Sequence, residues 1–145
     1  PRPTPETSSA ASDVYKRQII YDAYRPWFVT KMFWEGTPEN LKHFVANPEN
    51  GSSHNKGCAI DIGLYDIETG ESIVMISGYD EFTERAYPNY MGGSKKQRDI
   101  RDMLIQVMER NDFTVYEYEW WHFNYNGCDS GIMNYSFEEL DSISS

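Results

Sequence analysis

Between residues 94 and 109 the apolar positions follow a helical period. Ile100, Met103, Leu104, Val107 and Met108 fall at i, i+3, i+4, i+7 and i+8, which lines up one apolar face and predicts an amphipathic helix laid on a core. Ser94 stands where such a helix needs an N-cap. Elsewhere the apolar runs are short and strand-like. "QIIYDAYR" (18–25) is β-branched and aromatic and predicts a strand ending at Arg25, before Pro26. "CAIDIGLYDI" (58–67) predicts a mostly apolar strand, "ETGES" (68–72) a hairpin turn and "IVMI" (73–76) the return strand. "DFTVYEY" and "WWHFNY" predict two more strands. Helical patches at Phe28, Met32 and Phe33, then at Leu41, Phe44 and Val45, are separated by "GTP" at 36–38.

Two segments read as loops. One is "NPENGSSHNKG" (47–57), rich in turn-forming residues. The other runs from 77 to 93, holds several aromatics, and is long enough to suggest a functional role. The sequence from Gly127 onward is polar and loosely patterned. Together these elements predict an α+β fold, a small antiparallel sheet with flanking helices and no internal repeat.

The first eighteen residues, "PRPTPETSSAASDVYKRQ", have no apolar period and the composition of a disordered tail. "DVYKRQ" also resembles the in-frame translation of a transposase end sequence used in preparing sequencing libraries. On that reading residues 1–18 are a non-native scar, residues 19–145 are one domain, and the natural N-terminal part is missing. The alternative is a natural tail.

Composition narrows the function classes. At 145 residues with 39% hydrophobic and 15% aromatic content, the chain can bury one core. A net charge of −10 disfavours nucleic acid and anionic membranes as partners, since both need a basic surface. No apolar run approaches the roughly 20 residues that cross a bilayer. Cys58 and Cys128 allow one bridge at most, and nothing around them suggests a disulfide scaffold or a zinc knuckle. Cys58 reads as a small buried hydrophobe and the compartment as a reducing one, the bacterial cytoplasm, with the periplasm left open by the N-terminus.

The candidate chemistry lies in two stretches. "SSHNKGCAID" (52–61) puts His54 seven residues before Asp61, and on a strand Gly57, Ala59 and Asp61 share a face. "YEWWHFNY" (118–125) puts Glu119 three residues before His122. His54, Asp61 and His122 would form a three-ligand zinc set that leaves one position for water, with Glu119 as the base. On a regular strand Glu119 and His122 would face opposite sides, so this reading predicts a bulge around Trp120-Trp121. Each histidine alone reads better as a hydrogen-bonded structural residue. Asp61 in an apolar strand needs a partner or a metal. His43 reads as surface, Arg25 equally well as half of a salt bridge, and Asp80 and Glu81 as solvated charge.

These blocks resemble a known family. "SSHNKGCAID" fits S-x-H-x-x-G-x-A-x-D, "EWWH" fits E-x-x-H, and "DAYRP" (22–26) fits an arginine-bearing block. Their order over residues 19–126 resembles the zinc D-alanyl-D-alanine dipeptidases. The wider family holds D,D-carboxypeptidases and has a hedgehog-like fold. The double tryptophan and "GYDEFTERAYP" (78–88) look like the dipeptidase branch. The resemblance implies one zinc per chain held by His54, Asp61 and His122, with Glu119 as general base and then acid. It implies Arg25 at the oxyanion, Ser52 on the substrate and Asp80 on the ammonium of a small dipeptide, D-Ala-D-Ala. It also implies a role in cell-wall turnover or glycopeptide resistance. The rival readings are a D,D-carboxypeptidase acting on peptidoglycan stems and a non-catalytic zinc- or peptidoglycan-binding module. The retained Glu119 and the three-ligand set argue against the module.

Overall fold

The computed structural model describes residues 16–145. The tail expected over residues 1–18 therefore lies outside the described residues, save for its last three, which begin the first strand. Strands β1 (Lys16–Asp22), β2 (Ala59–Asp66), β3 (Phe113–Tyr116) and β4 (Glu119–Tyr125) form one antiparallel sheet in the order β1-β2-β4-β3. Helices α1 (Trp27–Gly36), α2 (Lys95–Glu109) and α3 (Phe137–Ile143) accompany it. The expected α+β class is the one observed.

β1 stops three residues earlier than its composition suggested. Its register with β2 shifts between Ile20 and Asp22, and the Asp22 carboxylate accepts the Ala23 N–H at 2.8 Å. A side chain that takes over a backbone donor ends the ladder. Pro26 then precedes α1, which ends at Gly36 before Pro38, whose ring disfavours further helix. Residues Glu39–Phe44 continue as a separate 3₁₀ segment.

β2 lies in the middle of the sheet, so both its edges are occupied and both its faces are covered. Its apolar side chains Ile62 and Leu64 join Trp120, Trp121 and Phe123 of β4 in the core, and the α2 stripe of Ile100, Leu104 and Met108 covers them. Each such side chain contributes about 1.5–3 kcal/mol by leaving water. Val107, expected on that stripe, is exposed. Ser94 caps α2: its Oγ accepts from Gln97 N, and Gln97 Oε1 accepts from Ser94 N, a reciprocal capping box.

The return strand expected at 73–76 does not form. Only an isolated bridge, Tyr65 to Ser72, and one bond from Ile73 N to Leu64 O join it to β2. Side chains take its next carbonyls instead. Gln97 donates to Met75 O at 3.0 Å and Arg85 to Ile76 O at 2.6 Å. The 77–93 loop that follows is pinned to α2 through arginines. Arg101 donates to Tyr90 O at 2.6 Å and Arg98 to Gly93 O at 2.8 Å.

The C-terminal segment is more built than its polarity suggested. Cys128 is bonded to Cys58, with Cα atoms 5.7 Å apart. Cys58 is buried, as expected, but as half of a disulfide rather than as a free thiol. From there the chain straps across the start of α1, with Met133 N donating to Asn55 O and Trp27 N to Met133 O. The bond closes a sequence separation of 70 residues. Its reduction should lower stability by about 2–4 kcal/mol, read as a lower urea midpoint with dithiothreitol. An unchanged midpoint would mean the strap holds without it.

Candidate active site

His54 sits on a 3₁₀ turn (Ser53–Lys56) whose entry is capped by Ser52. The Ser52 Oγ accepts the His54 N–H at 3.2 Å, and Asn55 Oδ1 accepts Ser52 N at 2.8 Å. Asn55, fully buried, also donates to Arg25 O at 2.8 Å and to Thr30 Oγ1 at 2.9 Å. One amide thus ties the His54 turn to the link between β1 and α1 and to α1 itself. Gly57 ends the turn with φ +65°, a left-handed conformation that favours glycine, and β2 then carries Asp61 inward.

Asp61 pairs in register with His122 of β4. Two residues back along β4, the expected irregularity is present. Val115 opposes Phe123, yet Tyr116 opposes Glu119, so extra β4 residues fall between these pairs. That bulge brings Glu119 Oε2 to 3.8 Å from His122 Nδ1. In a regular strand the two would point to opposite faces. The tryptophans inside the bulge are buried, and Trp120 Nε1 donates to Ser77 Oγ at 2.8 Å.

Three atoms converge at the centre. His54 Nε2 and His122 Nδ1 lie 3.2 and 3.1 Å from Asp61 Oδ1, and 3.1 Å from each other. The outer ring nitrogens fix the tautomers. His54 Nδ1 is 2.6 Å from Ala23 O, and His122 Nε2 is 3.0 Å from Asn124 Oδ1. Both partners can only accept, so both outer nitrogens carry the hydrogens. The inner nitrogens of both rings then point at an Asp61 oxygen that is buried and has no other partner. Two imidazole nitrogens and a carboxylate oxygen this close together call for positive charge between them, which a proton or a metal ion can supply. The chemistry of the set, two imidazole nitrogens and one carboxylate oxygen, fits zinc.

Charge around the centre is arranged to match. Burial works to raise the Asp61 carboxyl, but the hydrogen-bonding and charge of His122 and His54 outweigh it and hold it below the usual carboxylate range. Glu119 goes the other way. Burial, against the opposing pull of His122 and with the added push of Asp61 and Asp80, raises it to about 7. Two carboxylates one pocket apart are thus driven in opposite directions, the pattern of an acid–base site.

Arg25, Ser52 and Asp80 line the same cavity of about 480 Å³. The Arg25 guanidinium is gripped by Asp22, with Nε 2.8 Å and Nη2 2.5 Å from Oδ2, and lies 4.9 Å from the Phe33 ring centroid. The salt bridge proposed for Arg25 therefore exists, and it aims the side chain. Asp80 has φ +57°, a left-handed conformation at a non-glycine residue. Its carboxyl is raised by partial burial and by the Asp61 charge. His43 is exposed, as expected, although its ring lies against Phe44.

Sequence reasoning passed over Asp22, Asn55, Tyr79 and Asn124. Asp22 stood inside the arginine block, three residues before Arg25, and Asn55 next to His54. No local signal marks Asn124 as the residue that sets the His122 tautomer.

Residues 6–142 match the family described as D-ala-D-ala dipeptidase. Among curated proteins, the chain is 35% identical over 105 residues to a D-alanyl-D-alanine dipeptidase of Escherichia coli, covering 72% of this chain and 53% of that one. It is 33% identical over 124 residues to the D-alanyl-D-alanine dipeptidase of Enterococcus faecium, covering 72% of this chain and 60% of that one. The Enterococcus faecalis protein of the same name is 31% identical over 124 residues, with the same coverage. The chain spans between half and two thirds of the length of these relatives. By the extent of the family match, this chain belongs to the D-ala-D-ala dipeptidase family of peptidases.

Proposed function

We propose that the chain carries the catalytic centre of a zinc-dependent dipeptidase that hydrolyses D-Ala-D-Ala. The observation that carries this reading is the convergence of His54 Nε2, Asp61 Oδ1 and His122 Nδ1, three atoms of metal-ligand type, beside a buried Glu119. His54, Asp61 and His122 would hold the zinc. When bound, zinc lowers the pKa of water and polarises a peptide carbonyl.

The remaining chemistry belongs to the chain's own side chains. Glu119, raised to about 7 chiefly by burial, takes a proton from the attacking water and later returns it to the leaving amine. Arg25, aimed by Asp22, meets the negative charge that grows on the carbonyl oxygen. Asp80 binds the free ammonium of the dipeptide, and Ser52, which lines the cavity, meets the substrate. Phe33, Phe44, Phe82 and Tyr116 give the cavity an aromatic lining, which strengthens these interactions. Cell-wall turnover or glycopeptide resistance would be the setting.

The test is release of D-alanine from D-Ala-D-Ala by the purified chain. About one zinc per chain should bind. Turnover should stop when a chelator removes the metal and return when zinc is restored. Hydrolysis of a stem pentapeptide with none of the free dipeptide would replace this reading with a D,D-carboxypeptidase. Zinc uptake without hydrolysis of either would favour a binding module.

A further inference from the structure

We infer that Tyr79 is a positioning residue for the metal centre: its hydroxyl occupies one oxygen of Asp61, so that the other alone faces the two histidines. This rests on the metal reading above. Tyr79 Oη donates to Asp61 Oδ2 at 3.1 Å, while Oδ1 is the oxygen that faces His54 and His122. A carboxylate with both oxygens free can grip a cation with two. One whose second oxygen is engaged by a fixed donor binds through the first.

The donor is fixed by packing on both sides. The Tyr79 ring stacks on Tyr21 with centroids 4.4 Å apart, and meets Trp121 edge-on at 5.6 Å. Tyr21 has room for this because Gly63 lies beneath it on β2. A Cβ on Gly63 would collide with the Tyr21 ring. Each neighbour is one residue from a functional group: Tyr21 precedes Asp22, which grips Arg25, and Trp121 precedes His122. Tyr79 itself precedes Asp80. The stack therefore joins the arginine, the metal ligands and the cavity loop in one packed unit.

The test is Tyr79→Phe in the full chain, which keeps the ring and removes only the donor. Zinc affinity, measured by competition with a chromophoric chelator, should fall about 10- to 100-fold. The visible absorption of the Co²⁺-loaded chain should weaken, as Asp61 turns to two-oxygen binding and the coordination number rises. The urea midpoint of the metal-free chain should stay in place. Unchanged zinc affinity and an unchanged cobalt spectrum would overturn the inference. So would a loss of zinc affinity matched by an equal loss of metal-free stability, which would make Tyr79 a structural residue only. A wild-type chain that takes up no zinc would overturn the metal reading and this inference with it, a failure visible before any variant is made.

Discussion

Glu119→Gln is expected to lower kcat for D-Ala-D-Ala about a hundred- to ten-thousand-fold, the range that a positioned general base contributes, while zinc uptake stays within a few-fold of wild type. The argument is geometric. Glu119 Oε2 lies 3.8 Å from His122 Nδ1, beside the convergent atoms but outside the three that converge. Glutamine has the same shape and hydrogen-bonding reach, so the bulge should persist. It lacks the basic oxygen, and its amide cannot shuttle a proton between water and the leaving amine. The loss should appear in kcat with little change in KM, because it removes an interaction made in the transition state. Steady-state rates on the dipeptide, with zinc content measured on the same samples, check both halves. A variant that retains near-normal kcat would remove Glu119 from the chemistry. One that loses zinc would make it a ligand instead.

Trp121→Ala should cost about 3–5 kcal/mol of folding stability, the range for emptying a buried large aromatic side chain. Trp121 is 0% exposed. It packs at right angles to Trp120 with centroids 5.5 Å apart, and edge-on to Tyr79. A domain of this size is stable by only about 5–15 kcal/mol in total, so this single truncation should leave a marginal fold. The measurement is urea unfolding of the metal-free proteins, followed by the shift in midpoint at constant slope. A loss below about 1 kcal/mol would show that the core collapses into the space. Trp121 also stands beside His122, so the cavity should loosen the metal centre as well, and zinc affinity should fall together with stability. That pairing separates Trp121→Ala from Tyr79→Phe, for which affinity should fall alone.

Much of the fold was legible because its signals are local. The α2 stripe from Ile100 to Met108 and the Ser94 cap need only a 3.6-residue period and a side-chain oxygen at one position. β2, β3 and β4 were marked by short apolar and β-branched runs bounded by turn residues. The 73–76 strand failed for a reason no local window contains. Its carbonyls are claimed by Gln97 and Arg85, the first of them 22 residues away from Met75. The disulfide partner of Cys58 lies 70 residues further along, with no spacing rule to join them.

For the site, the residue types and spacings of "SSHNKGCAID" and "EWWH" determined which side chains gather around one point, because zinc-type chemistry needs imidazole, carboxylate and a nearby base in reach of one another. They also required a bulge, since a period of two forbids Glu119 and His122 from facing the same way. Only the tertiary structure decided the rest. Ala23 O and Asn124 Oδ1 set which nitrogen of each histidine is bare. Asp22 aims Arg25, and Tyr79 takes the second oxygen of Asp61. Burial lifts Glu119 to about 7, while His122 and His54, acting against burial, hold Asp61 low, so two carboxylates of nearly the same intrinsic acidity are separated. The sequence names the groups, since type and spacing are written in it. Their tautomers, aim and acidity depend on distances between strands and loops that meet only when the chain is folded.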